Sequence, residues 1–194
     1  MSQNNFPSFL KFYTRNFVDS DFYLIHKLRN NSQVQQYHPD GIFTHEKSVK
    51  YFSELRNHYN KHRFSYLPIF EKENDEFVGI CGLMFFDSTK ENFVDGEVEL
   101  GYALMPQYWG RALATLLAEG FVTWGFTNLP VKKIIAVCNP ANLGSIKVVK
   151  KLGGEYVRDA INPRVGDVVK VYEILKTNDT LNKISLKKPS NFHY

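Results

Sequence analysis

The apolar and polar positions of the chain switch between a period of two and a period near 3.6, and the switches predict the order of its elements. Residues 11–17 (KFYTRNF) alternate and predict a first strand, after which Asp19 or Ser20 caps a helix through YLIHKLRN to about Asn30. The polar stretch NNSQVQQYHPDGIF reads as a loop. Thr44 then stands as N-cap of HEKSVKYFSELRNHYNKH, in which Val49, Phe52 and Leu55 fall at helical spacing. Segments 64–70 and 77–86 are rich in aromatic and β-branched residues, and the polar EKENDE between them predicts an antiparallel hairpin.

The loop DSTKENFVDG leads to a fourth strand, residues 97–104 (EVELGYAL). Its alternation puts Glu97, Glu99, Gly101 and Ala103 on one face and Val98, Leu100, Tyr102 and Leu104 on the other, so one face is polar enough to line a cleft. Pro106 ends this strand, and WGRALATLLAEGFVTWGF predicts a long, mostly apolar helix from Trp109 to about Phe126, broken by NLPV. Residues 133–138 read as a short buried strand, NPANLGSIKVVKKLGG as a helix with its own caps, and EYVRD with DVVKVYEILK as a closing strand pair. The last stretch, TNDTLNKISLKKPSNFHY, reads as a loosely held polar tail over 177–194. Without repeats or linker composition, this order predicts one α/β domain over 1–194 with its core at about 10–176.

Composition narrows the picture. In 194 residues, 43% hydrophobic with 15% aromatic content is enough to fill a substantial core. A formal charge of +4, from 24 basic and 20 acidic residues, shows too little basic clustering for direct nucleic-acid binding. Cys81 and Cys138 sit in apolar runs and read as buried thiols in a reducing cytoplasm. No segment approaches the roughly 18 consecutive apolar residues of a membrane span, and MSQNNFPSFLKF lacks the order of a signal peptide, so a soluble, cytoplasmic protein is expected.

The stretch PQYWGRALA (106–114) joins the fourth strand to the apolar helix. Backbone N–H groups at a helix N-terminus are unpaired and carry the positive end of the macrodipole, so Gly110 and the small Ala112 suit close approach of a phosphate. A plain strand-to-helix turn whose tryptophan packs in the core accounts for the same residues. The pattern is neither GxGxxG nor a P-loop, so neither a dinucleotide fold nor an NTPase follows.

Together, VELGYALMPQYWGRALATLL and AVCNPANLGSIKVVKKLGG resemble the GNAT superfamily of N-acetyltransferases, in particular the branch that includes the ribosomal-protein N-terminal acetyltransferases. The resemblance implies a mixed, mostly antiparallel sheet of about seven strands flanked by helices, with central strands four and five splayed apart. It also implies acetyl-CoA as co-substrate. The first segment matches the family's pyrophosphate loop, which assigns Gln107, Trp109, Gly110, Arg111 and Ala112, with Ala114 and Thr115 in the following turn, to the cofactor. Leu104 would offer main-chain hydrogen bonds to the pantetheine arm, as though the cofactor were an added strand. Asn139, Asn142 and Ser145 match the second cofactor-contacting run, with the Ser145 hydroxyl near the thioester sulfur.

Acetyl transfer needs a neutral amine, and hence a base to accept its proton. Glu99, on the polar face of the fourth strand, is that candidate, with Glu97 in reserve; Ser145 would serve the departing thiolate. The family's tyrosine acid in Y-x-K-L-G is absent, since this chain reads Val149-Lys150-Lys151-Leu152-Gly153. Gly154 and Leu116 also depart from the usual residues. An acetyl-cysteine on Cys138 is disfavoured because no histidine lies near it in sequence, and His58 with His62 lacks the glutamate and third ligand of a zinc site. Acceptor choice would fall to 31–43, where Tyr37, His38 and Asp40 lie, and to 87–96. The expected acceptor is a protein N-terminus or a small amine, in a monomer or homodimer; an acyl-CoA-binding sensor of the same fold is the alternative.

Overall fold

Strand-period segments pair into a single sheet in a computed structural model that describes residues 6–85, 96–162 and 165–177. The strands are β1 (Phe12–Thr14), β2 (Tyr66–Glu71), β3 (Phe77–Phe85), β4 (Val98–Leu104), β5 (Lys133–Cys138), β6 (Glu155–Ile161) and β7 (Val168–Leu175), in the spatial order β1-β2-β3-β4-β5-β7-β6. Neighbours are antiparallel except β4 and β5, which run parallel. That parallel pair shares one register position, Glu99 opposite Ile135. Beyond it the strands part, so 100–104 and 136–138 border a wedge that opens toward both C-terminal ends.

The ladder with β3 decides which groups of β4 face this wedge. Met105 N–H donates to Val78 O at 2.9 Å, in register with Gly79 opposite Leu104. Because main-chain groups alternate along an antiparallel pair, those of Glu99, Gly101 and Ala103 point to β3, and those of Tyr102 and Leu104 point into the wedge.

Among the described residues, five α-helices flank the sheet: α1 (Phe22–Arg29), α2 (Ser32–Gln35), α3 (His45–His62), α4 (Leu113–Asn128) and α5 (Leu143–Lys151). The apolar character of α4 follows from its position, because Leu117, Ala118, Phe121, Val122 and Phe126 are all buried as it packs on β3 and β4. Each of the larger side chains contributes about 1.5–3 kcal/mol by leaving water. α1 packs on α3 through the same core, which contains Leu28 and Leu55. Among the described residues, no helix is long and apolar enough to cross a membrane.

Local chemistry moves several element boundaries. The first strand stops at Thr14, since the Arg15 guanidinium turns to Asp21 at 2.6 Å and the Asp21 carboxylate also accepts Val18 N–H at 2.8 Å. The segment expected to be loop holds α2, started by the Asn31 side chain accepting from Gln33 and Val34 N–H. α4 begins four residues later than its apolar pattern suggests, because Gly110 (φ 75°) and Ala112 (φ 56°) take left-handed backbone conformations. On α3 the buried stripe runs through Ser48, Phe52 and Leu55, and Val49 is exposed. Most of the loop at 87–96 and of the tail at 177–194 lies outside the described residues.

Candidate active site

The junction between β4 and α4 is pinned at two points. Tyr108 is buried and its hydroxyl donates to Glu76 Oε2 at 3.1 Å, a setting that pushes its pKa up to about 12, burial first and the Glu76 carboxylate second. Trp109 Nε1–H donates to Leu104 O at 2.8 Å, fastening the loop to the end of β4. Trp109 does not pack in the core as a plain turn would have it: it is exposed and lines the neighbouring cavity.

A side chain placed on Gly110 would meet nothing within 4 Å, so the space in front of the loop is open. The helix behind it lacks a side-chain cap, as α1 also does. Thr44 Oγ1 accepts Lys47 N–H at α3, and Asn142 Oδ1 accepts Ser145 N–H at α5, whereas the N-cap of α4 is Ala112. The first N–H groups of α4 therefore have neither an intrahelical nor a side-chain acceptor, which is the local electrostatics an anion seeks. Gly110, Ala112, Ala114 and Thr115 line the cavity here; Gln107 and Arg111 are exposed and stand outside its lining.

That cavity, about 790 Å³, runs from the α4 N-terminus through the wedge to the side of α1 and α2. Leu104 and Tyr102 line it from β4, Cys138 from β5, and Asn139, Asn142 and Ser145 from the turn into α5. Asn139 Oδ1 accepts Ala141 N–H at 2.9 Å and Asn142 Oδ1 caps α5 at 3.0 Å, so both oxygens serve local turns and each amide keeps its Nδ2 as a donor.

Ser145 is held in a hydroxyl cluster. Its Oγ lies 2.9 Å from Tyr102 Oη and 3.5 Å from Cys138 Sγ. Burial raises both the Tyr102 phenol and the Cys138 thiol, so each keeps its proton at neutral pH. A protonated thiol is a poor nucleophile, in line with the reading of Cys138 as a buried thiol. Tyr102 was not singled out from sequence, because alternation assigned it to the apolar face; its position where the strands part gives the phenol its place.

On the opposite face of β4, Tyr66 Oη donates to Glu99 Oε2 at 3.1 Å. The ring reaches Glu99 by lying over Gly101, where an added Cβ would come within 2.4 Å of Tyr66 Cζ. Burial raises the Tyr66 phenol well above its ordinary value, with the Glu99 charge next, and it remains a donor. Glu97 is placed differently from its expected reserve role. It is buried, 2.9 Å from Lys133 Nζ and 3.7 Å from Arg158, and Lys133 also reaches Glu173 at 2.5 Å, so this carboxylate ties β4 to β5, β6 and β7.

Of the loop residues assigned to acceptor choice, Tyr37 and His38 line the cavity, and Asp40 lies behind His38 at 3.8 Å from Nδ1. The His58 and His62 rings are 4.7 Å apart, but both nitrogens of His58 meet backbone groups, Nδ1 with Phe64 O at 2.7 Å and Nε2 with Phe85 N–H at 3.0 Å.

A sheet opened between parallel central strands, with a helix N-terminus that has no side-chain cap at the mouth, forms an elongated cleft of the kind an enzyme offers an extended anionic co-substrate. The chain belongs to the GNAT acetyltransferase family, whose profile, described as an acetyltransferase (GNAT) domain, matches residues 12–155. It is an N-acetyltransferase that uses acetyl-CoA. It is 28% identical over 139 residues to the uncharacterized N-acetyltransferase YnaD of Bacillus subtilis, covering 72% of this chain and 76% of that protein. It is 29% identical over 138 residues to the spermidine N(1)-acetyltransferase of Escherichia coli, covering 69% and 67%. Among solved structures, Vibrio cholerae spermidine N-acetyltransferase in complex with CoA and spermine superposes with a TM-score of 0.69 at 17% identity over 89% of this chain and 99% of that one. The ribosomal-protein-S5-alanine acetyltransferase of Vibrio fischeri superposes with a TM-score of 0.67 at 20% identity, over 88% and 96%.

Proposed function

We propose that this protein acetylates a primary amine, a protein N-terminus or a small amine, by direct attack within a ternary complex. The observation that carries the reading is the content of the wedge: a carboxylate on one face of β4, Glu99, and a hydroxyl pair on the other, Tyr102 with Ser145. Glu99 takes the proton of the amine as the new N–C bond forms. The carbonyl oxygen gathers charge beside the Leu104 main chain, and when the C–S bond breaks the Ser145 hydroxyl donates to the thiolate sulfur, its position held by Tyr102. No tyrosine stands at Val149, and the one that this chain brings to Ser145 is Tyr102, which orients the donor.

The residues present suit the co-substrate. The first N–H groups of α4, with Gly110 and Ala112 before them, would hold the pyrophosphate, and Leu104 with the Asn139 and Asn142 amides would hold the arm. Gln107 and Arg111, on the exposed side of the loop, would reach the cofactor only outside the cavity.

Thiol release from acetyl-CoA across a panel of amines and peptides with free N-termini tests the proposal. Intersecting double-reciprocal plots are expected, and a peptide outcompeting small amines would assign the protein to the ribosomal-protein type. Tight coenzyme A binding without turnover of any amine, unaltered by Glu99→Gln, would overturn catalysis in favour of a sensor.

A further inference from the structure

We propose that Arg29 binds a carboxylate of the acceptor, so that the preferred acceptor is a carboxylate-bearing amine of amino-acid type and not a polyamine. The proposal rests on the reading above and names the substrate class of the same cavity. Arg29 ends α1, is only 7% exposed and lines the cavity on the acceptor side. Its two hydrogen bonds go to neutral groups, Nη1 to Gln35 Oε1 at 3.2 Å and Nη2 to Tyr51 Oη at 2.6 Å. Its guanidinium carbon lies 4.5 Å from the centre of the Tyr51 ring. Its Nε is buried without a hydrogen-bond partner, and no carboxylate of the described residues lies within 4 Å of it.

Two other arginines do not share this situation. Arg15 is paired with Asp21 and Arg56 with Asp19. A guanidinium taken out of water without a counter-ion is costly to hold, and its planar fork of donors matches the two oxygens of a carboxylate. Tyr51 and Tyr66 line the same cavity, one bonded to Arg29 and the other to Glu99, so a charged end and a reactive amine of one small molecule have separate stations. A polyamine would instead place a second ammonium against Arg29.

The test uses the full chain with the twenty amino acids, the matching amino-acid amides and spermidine. At saturating acetyl-CoA, amidation of the carboxylate is expected to raise KM by about 10- to 100-fold, and the acid-to-amide ratio is expected to fall toward one in Arg29→Met and partway in Arg29→Lys. Calorimetric binding of the acids to the coenzyme A complex reads the same station without turnover, and coenzyme A binding alone reports that each variant is folded. Preference for spermidine or for amides, or a ratio unchanged in both variants, overturns the proposal. Arg29-dependent binding without turnover would instead sink the catalytic reading and leave this one standing.

Discussion

The Tyr66 hydroxyl stands 3.1 Å from Glu99 Oε2, joining residues 33 apart in sequence across β2 and β4. The bond orients a half-buried carboxylate at the one position where β4 still pairs with β5, at the root of the wedge. Glu99→Gln keeps the shape and removes the base, so kcat should fall about 10²- to 10⁴-fold while coenzyme A affinity stays near wild type. Tyr66→Phe, which frees the carboxylate without removing it, should cost less. Steady-state kinetics on both variants decides the point, and an active Glu99→Gln enzyme would remove Glu99 from the base role.

Glu97, the residue just before β4, provides the contrast. Its ion pair with Lys133 is buried on one side only, because the Lys133 side chain is 37% exposed, so the pair is worth less than a fully enclosed one. Glu97→Gln is expected to lower the unfolding midpoint by an amount equivalent to about 1–3 kcal/mol, with kcat of the folded fraction within a few-fold of wild type. Loss of kcat at full stability would return Glu97 to the chemistry.

Ser145→Ala removes the donor beside the leaving sulfur, and Tyr102→Phe removes the group that orients it. Each should lower kcat by about 10- to 100-fold with little change in acetyl-CoA KM. If Tyr102 works through Ser145, the double variant should be no slower than Ser145→Ala alone. Multiplying effects would show that the two hydroxyls act independently.

At the α4 N-terminus two effects meet at Gly110. Its φ of 75° penalises any side chain by about 1–2 kcal/mol, whatever space is available. Gly110→Ala should therefore reduce stability by about that amount and leave coenzyme A binding mostly intact. Gly110→Glu adds a negative charge where the uncapped N–H groups would receive phosphate, and should weaken coenzyme A binding at least tenfold. Calorimetry separates the two, and equal affinities would remove the phosphate from this loop.

Much of the fold was legible because period sufficed: β5 keeps its expected limits and Thr44 caps α3 as its position suggested. The wedge was not, since it depends on the register of β4 against β5, and no local pattern records that only Glu99 and Ile135 pair. The start of α4 was misplaced because left-handed Ala112 looks like any helix-forming alanine in sequence. In the site, one-strand alternation found Glu99 but also ranked Glu97 beside it, since the Lys133 and Arg158 that engage Glu97 come from β5 and β6. Tyr66, Tyr102 and Arg29 escaped notice for the same reason, each defined by partners on other elements.

His58 is a long-range partner whose protonation the fold opposes. It bridges Phe64 O and Phe85 N–H, an arrangement that requires Nδ1 to carry the proton and Nε2 to accept. Burial, with smaller repulsion from His62 and Lys61, holds its pKa below the ordinary 6.5. The unfolded chain therefore binds a proton below pH 6.5 that the folded chain still refuses. Stability contributed by this group is complete above 6.5, declines as pH falls from 6.5 toward the lower folded value, and levels off beneath it. His58→Gln should be less stable at pH 7.5, yet lose less on going to pH 5 than wild type does. Comparing urea midpoints at the two pH values cancels the carboxylates common to both proteins; parallel losses would mean that His58 titrates as freely in the fold as outside it.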